Sequence, residues 1–150
     1  MNKILKRRKE ICIIYNRLYY FFYRKKNTKH TKQKMGTHIW ISPERSNQYT
    51  VEYPNGNVYC GEMRDGMRWG HGLMMYQRGG NYEGFWKRDR KHGFGKRLYR
   101  NGDVYRGNFR KGTREGQGSY RWPDEKADYY CLWKNNEIVQ VTGKVDLALA

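Results

Sequence analysis

Between residues 49 and 145, apolar and polar positions alternate with a period of two in short runs separated by Gly, Asn and Asp. Such runs predict β-strands joined by tight turns, and the glycine frequency excludes helix. The alternation itself recurs. Tyr59, Tyr82 and Tyr105 stand 23 residues apart, and from each origin the chain superposes without gaps as "YCGEMRDGMRWGHGLMMYQRG", "YEGFWKRDRKHGFGKRLYRNG" and "YRGNFRKGTREGQGSYRWPDE". Two places on from each tyrosine come Gly61, Gly84 and Gly107, and four places on Met63, Trp86 and Phe109. Eleven and thirteen places on are Gly70 and Gly72, Gly93 and Gly95, Gly116 and Gly118; seventeen on are Tyr76, Tyr99 and Trp122. A unit of 23 residues has room for two strands and two turns, which is one β-hairpin with its connection.

A fourth, decayed copy begins one residue late at Tyr129, with Cys131 in the glycine position and Trp133 in the aromatic one. Upstream, "YTVEYPNG" (49–56) reads as the second half of a copy whose first half is missing. Pairing position +4 with +11 sets the glycines at +2 and +13 opposite each other: Gly61 with Gly72, Gly84 with Gly95, Gly107 with Gly118. These glycines leave a hollow across which rings can lie. The same register gathers Tyr59, Tyr76, Tyr82, Trp86, Tyr99, Tyr105, Phe109, Tyr120, Trp122 and Trp133 on one face, with Arg97 as its one charge. Gly66 and Gly112 in the closing loops, and Gly56, Gly79 and Gly102 in the return turns, are expected to have positive φ.

At this point the chain resembles a known family. "YEGFWKRDRKHGFGKRLY" and its two companions are similar to MORN repeats (membrane occupation and recognition nexus), over about residues 49–145. The resemblance implies rows of antiparallel hairpins in one elongated, twisted sheet, which agrees with the all-β reading. Asp89, Asn136 and Cys131 stand where the repeat usually has glycine; the first two tolerate turns, and Cys131 suggests a terminal cap.

Composition alters the picture in two ways. Aromatics make up 16 % of the chain, so the apolar content lies in rings more than in aliphatic side chains. The net charge of +17 is uneven: residues 1–34 hold 12 bases against the single acid Glu10, and residues 35–150 carry only +6. That +6 equals the summed charge of the three closing loops, "RDGMRW" (64–69), "KRDRKH" (87–92) and "RKGTRE" (110–115). The basic residues Arg64, Arg68, Lys87, Arg88, Arg90, Lys91, Arg110, Lys111 and Arg114 are therefore expected along one edge as a ladder repeating every ~10 Å, suited to an anionic partner.

Residues 1–34 form a basic extension, with 35–48 as a linker, 49–145 as the array and 146–150 as a tail. The apolar run Ile11 to Tyr23 is too short to span a bilayer and is broken by Arg17. Three readings stay open: a disordered extension, a short amphipathic helix at a membrane surface, or an untranslated stretch upstream of Met35. Cys12, Cys60 and Cys131 have no CxxC spacing, and their odd number points to reduced, structural thiols.

No catalytic pattern emerges. "GFGKR" has one residue between its glycines and no Ser or Thr after the lysine, so it is not a phosphate loop. The Gly-x-Gly pairs lack the third glycine of a dinucleotide fingerprint, and His71 and His92 fall at different repeat positions. No enzyme, cofactor or metal is expected. The first functional reading is a scaffold that binds a protein, either a second copy or an acidic filament; the resemblance implies a cytoplasmic, cytoskeletal or ciliary setting. The alternative is a peripheral module binding phosphoinositides through its basic loops. Nucleic acid is disfavoured, because the reading separates the rings on the face from the cations at the edge.

Overall fold

The computed structural model describes residues 7, 8, 10–12, 14, 39–41 and 48–147. It holds ten antiparallel strands in one sheet, each paired with its neighbours in sequence. They are β1 (Ile39–Ile41), β2 (Gln48–Glu52), β3 (Val58–Arg64), β4 (Met67–Met75), β5 (Asn81–Lys87), β6 (Arg90–Leu98), β7 (Val104–Arg110), β8 (Thr113–Arg121), β9 (Ala127–Lys134) and β10 (Glu137–Asp146). The all-β array of tandem hairpins expected from the repeat is the observed fold. β1 falls inside the segment read as a linker and pairs with β2, Trp40 opposite Thr50, so the upstream half unit has a first strand after all.

Each repeat closes with a two-residue turn. Asp65 and Gly66, Arg88 and Asp89, Lys111 and Gly112, and Asn135 and Asn136 all have positive φ, from 49° to 99°, the conformation of a type I′ hairpin. The return turns bond alike: Gly56, Gly79 and Gly102 have positive φ, and each donates its N–H to the carbonyl three residues back, at Tyr53, Tyr76 and Tyr99.

The facing glycines pair as expected: Gly61 with Gly72, Gly84 with Gly95 and Gly107 with Gly118. The +4 to +11 pairing within a hairpin does not occur. A bulge follows the glycine pair, so +4 meets +9 instead: Met63 with Arg68, Trp86 with Lys91, Phe109 with Arg114. Position +11 pairs with the +4 residue of the next unit, Gly70 with Trp86, Gly93 with Phe109 and Gly116 with Trp133. Period-two alternation cannot reveal a bulge, because two extra residues on one strand restore the alternation beyond it.

The two faces carry separate cores. One holds Val51, Tyr59, Met74, Tyr82, Trp86, Tyr105, Phe109, Tyr120, Cys131 and Trp133. The other is a small cluster of Val58, Cys60, Leu73 and Met75, on which Cys12 is packed. Among the described residues before β1, Arg7, Arg8, Glu10, Ile11, Cys12 and Ile14 are helical. Arg8 donates to the carbonyls of Gly56, Tyr76 and Gln77, at 3.0–3.1 Å. The remainder of residues 1–34, with most of the Ile11–Tyr23 run, lies outside the described residues.

Two thiols depart from expectation. Cys12 and Cys60 form a disulfide, with Cα atoms 5.6 Å apart, and only Cys131 is a free, buried thiol. The pairing depends on where the N-terminal helix docks, which no cysteine spacing encodes.

Candidate functional site

The aromatic face is built from the hairpin outward. Tyr59, Tyr82 and Tyr105 are wholly buried, and each lies along its own strand. Their hydroxyls donate to the carbonyls three residues on, Glu62, Phe85 and Asn108, at 2.7–2.9 Å. Lying flat brings each ring over the facing glycines, so the hollow read from the sequence is filled by the tyrosine that opens the same repeat.

The +4 residue of each following unit stands edge-on between successive tyrosines. Trp86 meets Tyr59 and Tyr82 at centroid distances of 5.6 and 5.1 Å, Phe109 meets Tyr82 and Tyr105 at 5.1 Å, and Trp133 meets Tyr105 at 5.3 Å. All are within 10° of perpendicular, the arrangement favoured by the ring quadrupoles, and each contributes about 0.5–1.5 kcal/mol beyond burial. Trp86 also donates its indole N–H to the Gly72 carbonyl at 3.1 Å. One unbroken row of rings thus runs across the hairpins. Tyr76, Tyr99 and Tyr120 flank it, and Trp122 packs at 4.9 Å from Tyr120 and 5.0 Å from Tyr129.

The expected ladder of nine basic residues divides in two. Arg64, Lys87, Arg88, Arg90, Arg110 and Lys111 are exposed around the hairpin turns. Arg68, Lys91 and Arg114 are not at the edge: the short turn draws position +9 into a strand, opposite the +4 residue, and sends its side chain over the aromatic face. Arg68 lies 4.4 Å from the Trp86 centroid, Arg114 4.0 Å from Trp133, and the Lys91 ammonium 5.2–5.8 Å from Tyr82, Phe109 and Tyr76. Arg97 joins them, 4.0 Å from Tyr76 and 5.1 Å from Tyr99. With Lys144 5.6 Å from Tyr129 at the far end, Arg97 is one of several cations on the face rather than its one charge.

Their neighbours differ. Arg68 pairs with Asp89 at 2.9 Å. Arg114 donates to the Asn136 carbonyl at 2.7 Å. For Lys91 the Asp89 and Asn136 position is occupied by Gly112, which offers no side-chain acceptor. Burial, and then the charges of Arg97, Arg68 and Arg114, hold the Lys91 ammonium down to about 8 from an ordinary 10.5. Burial also pushes the Tyr82 and Tyr105 phenols well above their ordinary range, and Tyr120 is raised by burial and by its bond to Asp103. Arg97 Nη1 and Arg114 Nε are buried without an acceptor.

Such a face can bind by shape, ring contact and positive charge. No group of His, Cys, Asp or Glu that could hold a metal is found among the described residues. No helix among the described residues is long and apolar enough to cross a membrane.

No curated protein matches the chain closely enough to count as a relative. The family model of the MORN repeat matches three consecutive units, residues 59–81, 82–104 and 105–126, each opening at a tyrosine of the ring row. Repeats of this kind form generally non-catalytic modules often involved in protein or membrane interactions. Repeat spacing, hairpin register and family match coincide, and residues 59–126 are three consecutive MORN repeats.

Proposed function

We propose that this protein is a non-catalytic scaffold whose aromatic face binds another protein. The observation that carries this reading is the group of half-buried cations, Arg68, Lys91, Arg97 and Arg114, that lies over the buried ring row beside the half-buried rings Tyr76 and Tyr99. Among the described residues the sheet is a single layer, so the half-buried Tyr76 and Tyr99 and the exposed Trp122 stay open beside these cations, and such patches mark interaction sites. The cytoplasmic, cytoskeletal or ciliary assembly implied by the family resemblance belongs to the same proposal. Nucleic acid fits less well, for a reason other than the one read from the sequence. Cations and rings do share the face, but Tyr59, Tyr82 and Tyr105 are wholly buried and cannot stack on bases.

Proximity labelling in cells tests the scaffold reading. Partners should be lost with Tyr76→Ser and Tyr99→Ser together and kept with Lys87, Arg88 and Arg90 changed to Ser. The opposite pattern would overturn it.

The exposed cations Lys87, Arg88, Arg90, Arg110 and Lys111 favour a second reading, a peripheral module for anionic lipids. Co-sedimentation with phosphoinositide vesicles at physiological salt, lost in the Lys87, Arg88 and Arg90 variant, would put that reading first.

A further inference from the structure

Arg68, Lys91, Arg97 and Arg114 on the aromatic face are poorly neutralised among the described residues. Arg68 has Asp89. Among the described residues Lys91, Arg97 and Arg114 have no ion pair, and two guanidinium nitrogens, Arg97 Nη1 and Arg114 Nε, are buried without acceptors. Buried donors normally find partners, and an unmet one costs about 1–3 kcal/mol. Like charges gathered in a half-buried site favour an anion that joins them; burial first, and then the charges of Arg97, Arg68 and Arg114, disfavour the Lys91 ammonium.

Spacing restricts which anion fits. Lys91 and Arg114 occupy the same position in successive hairpins, two strands apart, or about 10 Å along the row. An extended peptide presents one face every second residue, at steps of about 7 and about 13 Å, and matches poorly. Seven residues of α-helix advance about 10.5 Å and return to the same side.

We infer that the face seats an acidic amphipathic helix of a protein partner, laid across the strands with carboxylates seven residues apart at Lys91 and Arg114 and apolar side chains on the half-buried flanking rings Tyr76 and Tyr99. This rests on the proposal that the aromatic face binds protein and adds the chemistry of the partner. A flat membrane would meet the turn cations first, whereas an inserted carboxylate reaches side chains set among rings.

The test uses the full chain and fluorescence anisotropy at physiological salt. The probe is a labelled 22-mer helix of Leu, Ala and Gln with two glutamates seven residues apart on its apolar side. One control has glutamine at both places, and the other has the glutamates moved to the polar side. The first peptide should bind about tenfold or more tighter than either control, as expected for charge pairs made in a partly dry interface. Lys91→Met should erase that preference while leaving the glutamine peptide unaffected, and Lys91→Arg should keep it. Thermal melting establishes that each variant is folded; if Lys91→Met does not fold, the peptide series and Lys91→Arg still decide. Equal binding by all three peptides would overturn the acidic specificity and leave the protein-binding face standing. No binding by any of them would overturn the inference, and pelleting with phosphatidylserine vesicles in that case would overturn the protein-binding reading with it.

Discussion

The phenol of Tyr82 rests on Gly95: a Cβ built there would lie 2.5 Å from Oη and 2.6–2.7 Å from ring carbons. A Cβ on the facing Gly84 would meet the Gly95 Cα at 2.5 Å and the same hydroxyl at 2.8 Å. Neither clash can be relieved by rotating an exposed side chain, because Tyr82 is wholly buried and bonded to the Phe85 carbonyl. Gly95→Ala is expected to cost about 3 kcal/mol or more, in the range of overpacked cores, and Gly95→Val to prevent folding. Tyr82→Phe removes only the hydroxyl bond and should cost about 1 kcal/mol. Urea unfolding of the three variants gives the ranking, and a Gly95→Val protein with the unchanged midpoint would refute the stacking of tyrosine on glycine.

Asp89 and Asn136 do more than tolerate a turn. Asp89 sits at positive φ, accepts from the N–H and Nε of Arg68 in the preceding hairpin, both at 2.9 Å, and donates its own N–H to the Arg68 carbonyl. Asn136 repeats the arrangement on Arg114, accepting its N–H at 2.8 Å. Asp89→Gly relieves φ but removes both side-chain bonds, and a net loss of about 1 kcal/mol is expected. Asp89→Asn keeps an acceptor oxygen and should be nearly neutral. Chemical denaturation distinguishes the two, and equal stability of Gly and Asn at this position would reduce the residue to a turn former.

The contrast between turn and face explains what was legible in the sequence. The 23-residue period exposed the hairpins, the facing glycines and ten aromatic positions, because each depends on contacts repeated in every unit. In sequence, "KRDRKH" and its counterparts look like open loops, which places Arg68, Lys91 and Arg114 at the edge. Only the two-residue turn, with Arg88 and Asp89 both at positive φ, returns Lys91 to the sheet. A non-glycine pair such as Arg88 and Asp89 carries a weak signal for that turn. Strand β1 and the Cys12 to Cys60 link rest on contacts made once, which a repeat cannot announce.

The disulfide gives a direct chemical prediction. Under denaturing, non-reducing conditions one thiol per chain, that of Cys131, should be alkylated, and three should be alkylated after reduction. The link closes 48 residues of sequence, so reduction should lower stability by about 4 kcal/mol on a chain-entropy estimate. Cys12→Ser should reproduce that loss without reductant. Three alkylated thiols before reduction would return Cys12 and Cys60 to separate structural roles.

Lys91 should make stability depend on pH in the alkaline range. Its folded pKa of about 8 lies below the ordinary 10.5, so between those values the unfolded chain holds the larger share of a proton. Stability therefore rises with pH through that window, as the neutral amine replaces a cation disfavoured among the rings. Above about pH 10 the opposite holds for the tyrosines, since an unfolded phenol ionises there while Tyr82, Tyr105 and Tyr120 resist, and stability falls. The melting temperature should pass through a maximum between about pH 9 and 10. Lys91→Met keeps the apolar stem over Tyr82 and removes the charge, so it should melt higher than the parent at pH 7 and lose the rising limb while keeping the falling one. Melting curves by circular dichroism from pH 7 to 11 check both limbs, and a rising limb that survives in Lys91→Met would locate the titrating group elsewhere.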